Sequence, residues 1–149
     1  MSTNSVTLHW VVTAPPEKVY RAFSEPAAMA AWFPPYGFVC TIQEMDFKEG
    51  GHFKMVFTNF TTGNGNSFGG TYLEIKPNEF IKFSDKFDDP NLPGEIITTV
   101  GLKKVFCGTE LRVEQTGIPP AIPVEMCYLG WQESLDKLKR LVEPKIPQP

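Results

Sequence analysis

Apolar and polar residues alternate over residues 5–13: Val6, Leu8, Trp10 and Val12 share one face, with Thr7, His9 and Val11 on the other. A period of two is that of a half-buried strand. Pro15 and Pro16 end the strand and open a helix, since proline suits a first helical turn. Thr13 is its expected cap. Val19, Ala22 and Phe23 form a short apolar stripe until Pro26 breaks it. A second short helix is expected over 27–32, ended by Pro34 and Pro35. From there the period of two returns in a series of segments: 38–47, a strand from His52, 70–76, 80–87, 95–106 and 109–116. Turn residues separate them: Lys48-Glu49-Gly50-Gly51, a hairpin tip over 61–67, Pro77-Asn78-Glu79, a longer loop over 88–94, and Cys107-Gly108. After the proline-rich stretch 117–123 the period changes to that of a helix over 124–142. Val124, Cys127, Tyr128, Trp131, Leu135, Leu138 and Val142 recur at three and four, and so lie on one stripe.

Strands joined by short turns make an antiparallel sheet, and one long amphipathic helix must lay its apolar stripe on that sheet. The expected fold is therefore α+β: a curved antiparallel sheet of about six to seven strands wrapped around a long C-terminal helix, with two short helices after the first strand. No repeat or linker divides the chain, so 1–149 reads as one domain with a loose tail over 143–149. A chain of 149 residues can bury roughly 70% of its unfolded surface without staples.

Composition narrows the function. The formal net charge is −3. Only Lys137, Lys139 and Arg140 cluster, as expected for the solvated end of a helix, so nucleic acid is not an expected partner. Three cysteines, Cys40, Cys107 and Cys127, make neither a disulfide framework nor a zinc pattern. The N-terminus lacks a signal-peptide pattern, and no apolar run approaches the ~20 residues of a spanning helix. The expected location is cytoplasmic, the expected state monomer or homodimer, with no cofactor and no membrane insertion. Aromatics are abundant at 13%, including 12 Phe, and such residues either fill cores or line apolar pockets.

Several short blocks resemble a known family. Ala14-Pro15-Pro16-Glu17-Lys18-Val19-Tyr20-Arg21-Ala22-Phe23, Trp32-Phe33-Pro34-Pro35, Asp46 with Gly50-Gly51, Gly70-Thr71-Tyr72-Leu73-Glu74-Ile75, Gly108-Thr109-Glu110-Leu111 and Gly130-Trp131 occur in that order over nearly the whole chain. They resemble motifs of the SRPBCC, or START-like, superfamily. The similarity is closest to homologues of the activator of the heat-shock-protein-90 ATPase. The resemblance implies a helix-grip fold with a cavity between sheet and long helix. Relatives include lipid carriers, plant allergens, polyketide aromatase/cyclases and chaperone activators. Many members carry a Trp two positions after the strand Phe where this chain has Asp85, which makes a more polar pocket or rim.

Candidate chemistry is sparse. His9 and His52 are the only histidines and lie far apart in sequence, too few for a metal site; His52 reads as an exposed or rim residue. Glu74 reads as an outer-face residue paired across strands, opposite in face to Leu73 and Ile75. Asp85 shares its face with Ile81, Phe83 and Phe87. Facing inward, it would be a carboxyl against apolar neighbours with a raised pKa; the alternative is a solvated strand end. No nucleophile or paired acid/base constellation occurs. The expected function is binding of a small hydrophobic or amphipathic ligand between sheet and C-terminal helix. Trp32, Phe53, Met55, Phe57, Phe83, Phe87, Cys127 and Trp131 would form the walls, with Asp85 and Tyr36 orienting the ligand. A chaperone partner comes second, because that role belongs to relatives with an additional N-terminal domain for which this chain has no room. A cyclase or hydrolase using Asp85 comes third.

Overall fold

The structure, a computed structural model that describes residues 4–148, begins with β1 (Val6–Val12), followed by α1 (Pro16–Ser24) and α2 (Pro26–Trp32). Six further strands follow: β2 (Phe38–Met45), β3 (His52–Asn59), β4 (Gly65–Lys76), β5 (Phe80–Phe87), β6 (Ile96–Val105) and β7 (Gly108–Thr116). The last helix is α3 (Val124–Val142). The seven strands form one sheet in the order β1-β7-β6-β5-β4-β3-β2, and every pairing is antiparallel. The meander from β2 to β7 needs only turns and one longer loop, between β5 and β6, while β1 joins the far edge beside β7. The chain must then cross from one edge of the sheet to the other between β1 and β2, and α1 and α2 carry it across. Curled into a half-barrel, the sheet grips α3. This is the helix-grip architecture expected from the sequence.

One continuous core fills the concave side. Val6, Leu8 and Val12 from β1, Val100 and Leu102 from β6, Leu111 and Val113 from β7, and Leu135, Leu138 and Val142 from α3 are buried. Trp32 is 0% exposed; its indole N–H donates to the Ala22 carbonyl at 2.8 Å. The ring sits edge-on to Phe23 at 4.8 Å between centroids, so α2 is locked to α1 by an aromatic pair and a satisfied polar group.

Five local expectations are corrected. Thr13 does not cap α1: Pro15 occupies the cap with no side-chain bond, and the Thr13 N–H instead donates to Glu143 Oε2 at 2.9 Å. The hairpin tip is shorter than 61–67, because Gly65, Asn66 and Ser67 already pair with Thr58, Phe57 and Val56. Their polar side chains hid the strand. A β-bulge between Tyr72 and Glu74 resets the alternation, leaving Leu73 exposed while Ile75 packs on the core, so those two do not share a face. Glu74 lies opposite Lys82 in register, yet its ion pair at 3.9 Å is with Lys76 on its own strand. Finally, Tyr128 is exposed and Ser134 takes a place on the buried stripe of α3.

Glu143 and Pro144 begin the expected loose tail with two tethers. Besides the Thr13 contact, Lys18 Nζ donates to the Pro144 carbonyl at 2.8 Å. Pro149, the last residue of that tail, lies outside the described residues, as do residues 1–3.

Candidate functional site

Between the sheet and the N-terminal half of α3 lies a cavity of about 180 Å³. Its walls come from four places. Phe57, Phe68, Asp85, Phe87, Ile96 and Gln115 project from the concave face of the sheet; Cys127, Gly130, Trp131 and Ser134 face them from α3. Phe33 and Pro35 close one side from the segment after α2, and Ile122 closes another from the loop before α3.

The aromatic walls hold one another edge-on. Phe33 meets Phe57 at 5.6 Å and Trp131 at 5.9 Å. Phe57 meets Phe68 at 4.9 Å, and Phe68 meets Phe87 at 6.3 Å. Such pairs each contribute about 0.5–1.5 kcal/mol beyond simple burial, so the walls brace one another without an occupant.

Phe33 and Pro35 are placed by hydrogen bonds to α3. Ser134 Oγ donates to the Phe33 carbonyl at 2.7 Å and Lys137 Nζ to the Pro34 carbonyl at 2.9 Å. The Tyr36 N–H donates to Glu133 Oε1 at 3.2 Å, and the Tyr36 hydroxyl donates to Asp136. This clamp explains why a segment with two prolines keeps one geometry.

At the entry to α3, Gly117 adopts φ +77°, and a Cβ there would lie 2.4 Å from the Glu95 carbonyl. Only glycine turns the chain there, seating buried Ile118 and bringing the proline-rich loop over the cavity.

The polar groups of the walls are unequal. Gln115 is engaged at both ends: its Oε1 accepts the Trp131 indole N–H at 3.2 Å and its Nε2 donates to Thr98 Oγ1 at 3.1 Å. The Ser134 hydroxyl is engaged as a donor to the Phe33 carbonyl. Burial pushes the Cys127 thiol above its ordinary pKa, so it is a neutral, weakly polar wall. Asp85 differs from all of these. The residue keeps some exposed surface, but its Oδ1 is sealed from solvent without a hydrogen-bond partner among the described residues. Burial first, and then the charge of Glu95, push its carboxyl up to about 7.

The inward row of β4 explains how Asp85 finds room. Gly70 lies opposite Asp85 in register, between the buried residues Phe68 and Tyr72. A Cβ at Gly70 would lie 1.7 Å from the Ser84 carbonyl oxygen and 2.8 Å from the Asp85 Cα. The position therefore excludes every other residue and leaves the row vacant beside the acid.

Of the residues expected at the site, the cavity gathers Phe57, Asp85, Phe87, Cys127 and Trp131. Trp32, Phe53, Met55 and Phe83 lie in the closed core instead. Tyr36 is half exposed and borders a separate surface depression with Asp136, Lys137 and Arg140. The residues that sequence reasoning missed, Phe33, Pro35, Phe68, Ile96, Gln115, Ile122, Gly130 and Ser134, stand mostly at element ends or in loops, where no period marks a face. Phe68 was hidden by the polar start of β4. Both histidines lie outside the cavity: His9 Nε2 is 2.7 Å from Glu110 Oε2, and His52 Nδ1 is 3.1 Å from Thr71 Oγ1. Among the described residues, no group of three or more His, Cys, Asp or Glu side chains could hold a metal ion, and no helix is long and apolar enough to cross a membrane.

Comparison with known proteins bears on this geometry. The family model described as Activator of Hsp90 ATPase homolog 1-like protein matches residues 13–143. A crystal structure of a protein from Chromobacterium violaceum is 54% identical, with a TM-score of 0.94 over 95% of this chain and 99% of that one. A Rhodobacter sphaeroides protein is 22% identical, with a TM-score of 0.79 over 92% and 90% of the two chains. A Rhizobium leguminosarum protein is 21% identical, with a TM-score of 0.80 over 97% of each. The last two likenesses speak for the fold alone. No curated protein matches the chain.

Proposed function

This chain belongs to the Activator of Hsp90 ATPase homolog 1-like family, and from that premise we propose that it binds a small apolar or amphipathic molecule between sheet and α3. The observation that carries the reading is the cavity itself: about 180 Å³, walled by five interlocked aromatic rings. Its size limits the occupant. A dry apolar cavity of about 150 Å³ takes a benzene ring, whereas sites for drug-sized ligands run to about 300–1,000 Å³. A single ring or a short chain fits; a sterol does not. Binding would proceed by enclosure, with rigid aromatic walls desolvating the ligand and Asp85 orienting its polar end.

Thermal unfolding with added ligand tests this. Ethylbenzene at one hundred times its dissociation constant should stabilise the fold by about 2.7 kcal/mol, while cholesterol should leave the melting temperature unchanged. If no ligand of one-ring size raises it, and native mass spectrometry of the freshly purified protein shows only the bare chain, the carrier reading falls.

Gly130 offers a second check. It lies inside α3 and lines the cavity, and nothing stands within 4 Å of where its Cβ would be. A helical glycine costs roughly 0.5–1 kcal/mol relative to alanine. Gly130→Ala should therefore raise stability to urea by about that amount while weakening ethylbenzene binding, because the added methyl occupies the wall. Greater stability with unchanged affinity would place the ligand elsewhere.

A second reading has its own support. Met126 and Leu129 expose 64% and 54% of their surface on the outer side of α3, and the family description names an activator of the Hsp90 ATPase. A chaperone contact through that face would show as co-purification with the partner, lost on Leu129→Asp.

A further inference from the structure

An acid stands in the wall of the cavity, and one of its oxygens has no hydrogen-bond partner among the described residues. Asp85 Oδ1 is enclosed and unpartnered, in a wall whose other polar side chains are either engaged with one another or neutral. Among the described residues, no Lys, Arg or His lines the cavity. The titratable groups that face Asp85 are Glu95, at the head of β6, and Cys127, on α3; the first is an acid and the second a neutral thiol. The cavity that Asp85 lines is walled by the rings of Phe33, Phe57, Phe68, Phe87 and Trp131, and the negative face of an aromatic ring attracts a cation. A buried carboxylate without a counter-ion is unfavourable, and a cation held in the cavity that Asp85 lines would supply one.

We propose that the cavity is selective for a small organic cation: a protonated primary amine on a single ring or short apolar chain, its ammonium paired with the Asp85 carboxylate and its apolar part against the aromatic walls. This rests on the carrier reading above and narrows its ligand class. The same electrostatics reject anions: a carboxylate or phosphate ester would meet Asp85 with no cation among the lining residues to receive it. A neutral alcohol satisfies one hydrogen bond but leaves the charge of Asp85 uncompensated.

Binding of such an amine requires Asp85 to be ionised. An alkyl ammonium stays protonated through pH 8, as the lysine side chain does with its pKa of about 10.4. The affinity therefore rises with pH as the carboxyl, poised at about 7, loses its proton. At pH 5.5 only a few per cent of the chains would be competent, which weakens the apparent affinity on the order of ten- to thirtyfold relative to pH 8.

The test is isothermal titration calorimetry with benzylamine, benzyl alcohol and ethylbenzene at pH 5.5 and 8, on the wild-type chain and on Asp85→Asn. The expected result is benzylamine binding at least about tenfold tighter than ethylbenzene at pH 8, as charge-assisted pairing provides. That preference should disappear at pH 5.5 and in Asp85→Asn, with ethylbenzene affinity retained throughout. If ethylbenzene or benzyl alcohol binds as tightly as benzylamine at pH 8, the amine assignment is wrong and the carrier reading stands. Benzylamine affinity that falls as pH rises would show Asp85 acting as a protonated donor, which also overturns the assignment. If none of the three binds, both readings fail. The pH comparison on the wild-type chain decides the matter even where Asp85→Asn folds poorly.

Discussion

Raising the pH from 5 to 8 lowers the stability of the ligand-free protein by about 2–3 kcal/mol, and Asp85→Asn removes that slope. The reason lies in one carboxyl. In the unfolded chain Asp85 releases its proton near the ordinary 3.8, but in the fold it does so only at about 7. Between those values the native state holds a proton that the unfolded state has lost, so unfolding becomes easier as pH rises. Stability is full below the unfolded value, declines through the window between the two, and is flat again above the folded one. Each tenfold change in proton affinity is worth about 1.4 kcal/mol, which gives the stated loss. Other shifted carboxyls do not mask it. Asp88, Glu110 and Asp136 are held below the ordinary value, chiefly by hydrogen bonds from Ser67, His9 and Tyr36 respectively. Their contributions are lost as pH falls below the unfolded value, outside the 5 to 8 window. Urea unfolding of wild type and Asp85→Asn at matched pH values isolates the effect. A difference between the two that does not grow with pH would mean that Asp85 is solvated and ionised throughout.

Gly70→Ala is the second large effect, with an expected loss on the order of 3 kcal/mol or more, or failure to fold. The added Cβ would stand 1.7 Å from the Ser84 carbonyl oxygen and 2.6 Å from its carbon. Both are backbone atoms of the adjacent strand, so no rotamer change relieves the clash; β4 and β5 must part along the ladder that carries Asp85. Gly101, in β6, is the matched control. It too lies in a central strand, but nothing stands within 4 Å of its Cβ position, and Gly101→Ala should stay within about 0.5 kcal/mol of wild type or gain slightly. Chemical denaturation of the two variants side by side checks the pair. Equal behaviour would show that glycine at position 70 serves something other than close approach.

Much of this was legible in the sequence, and the limits have physical causes. The alternation of Val6, Leu8 and Val12, and the helical spacing of Trp131, Leu135, Leu138 and Val142, announce elements whose buried side must meet something apolar. The order of the elements then leaves few ways to assemble them. Asp85 was visible as an acid in an apolar row, because Ile81, Phe83 and Phe87 share its parity. The boundary between cavity and solid core was not visible. Phe53, Met55 and Phe83 carry the same pattern as Phe57 and Phe87, and only three-dimensional packing separates those that touch empty space from those that touch one another. Phe33 and Pro35 belong to no periodic segment; hydrogen bonds to residues about a hundred positions away put them at the site. Tyr36 illustrates the converse. An aromatic with a polar tip suits a pocket mouth, yet its hydroxyl is engaged by Asp136. The bulge at Leu73 inverted the expected faces of β4, since one extra residue is invisible to a rule of strict alternation.

The uneven anchoring of α3 carries a kinetic consequence. From Trp131 onward the helix is held by Leu135, Leu138 and Val142, and at its far end Glu143 is tied to Thr13, just after β1, and Pro144 to Lys18 of α1. The turns over the cavity have only Val124 and Cys127 as partly buried contacts, and Pro123 caps them without a side-chain bond. Local opening follows the weakest packing, so under the proposed function a bound molecule would exchange as those first turns loosen, while the aromatic rings of the sheet stay in place. How tightly an occupant is held is then a property of the rings and the acid, and how long it stays is a property of two turns of helix.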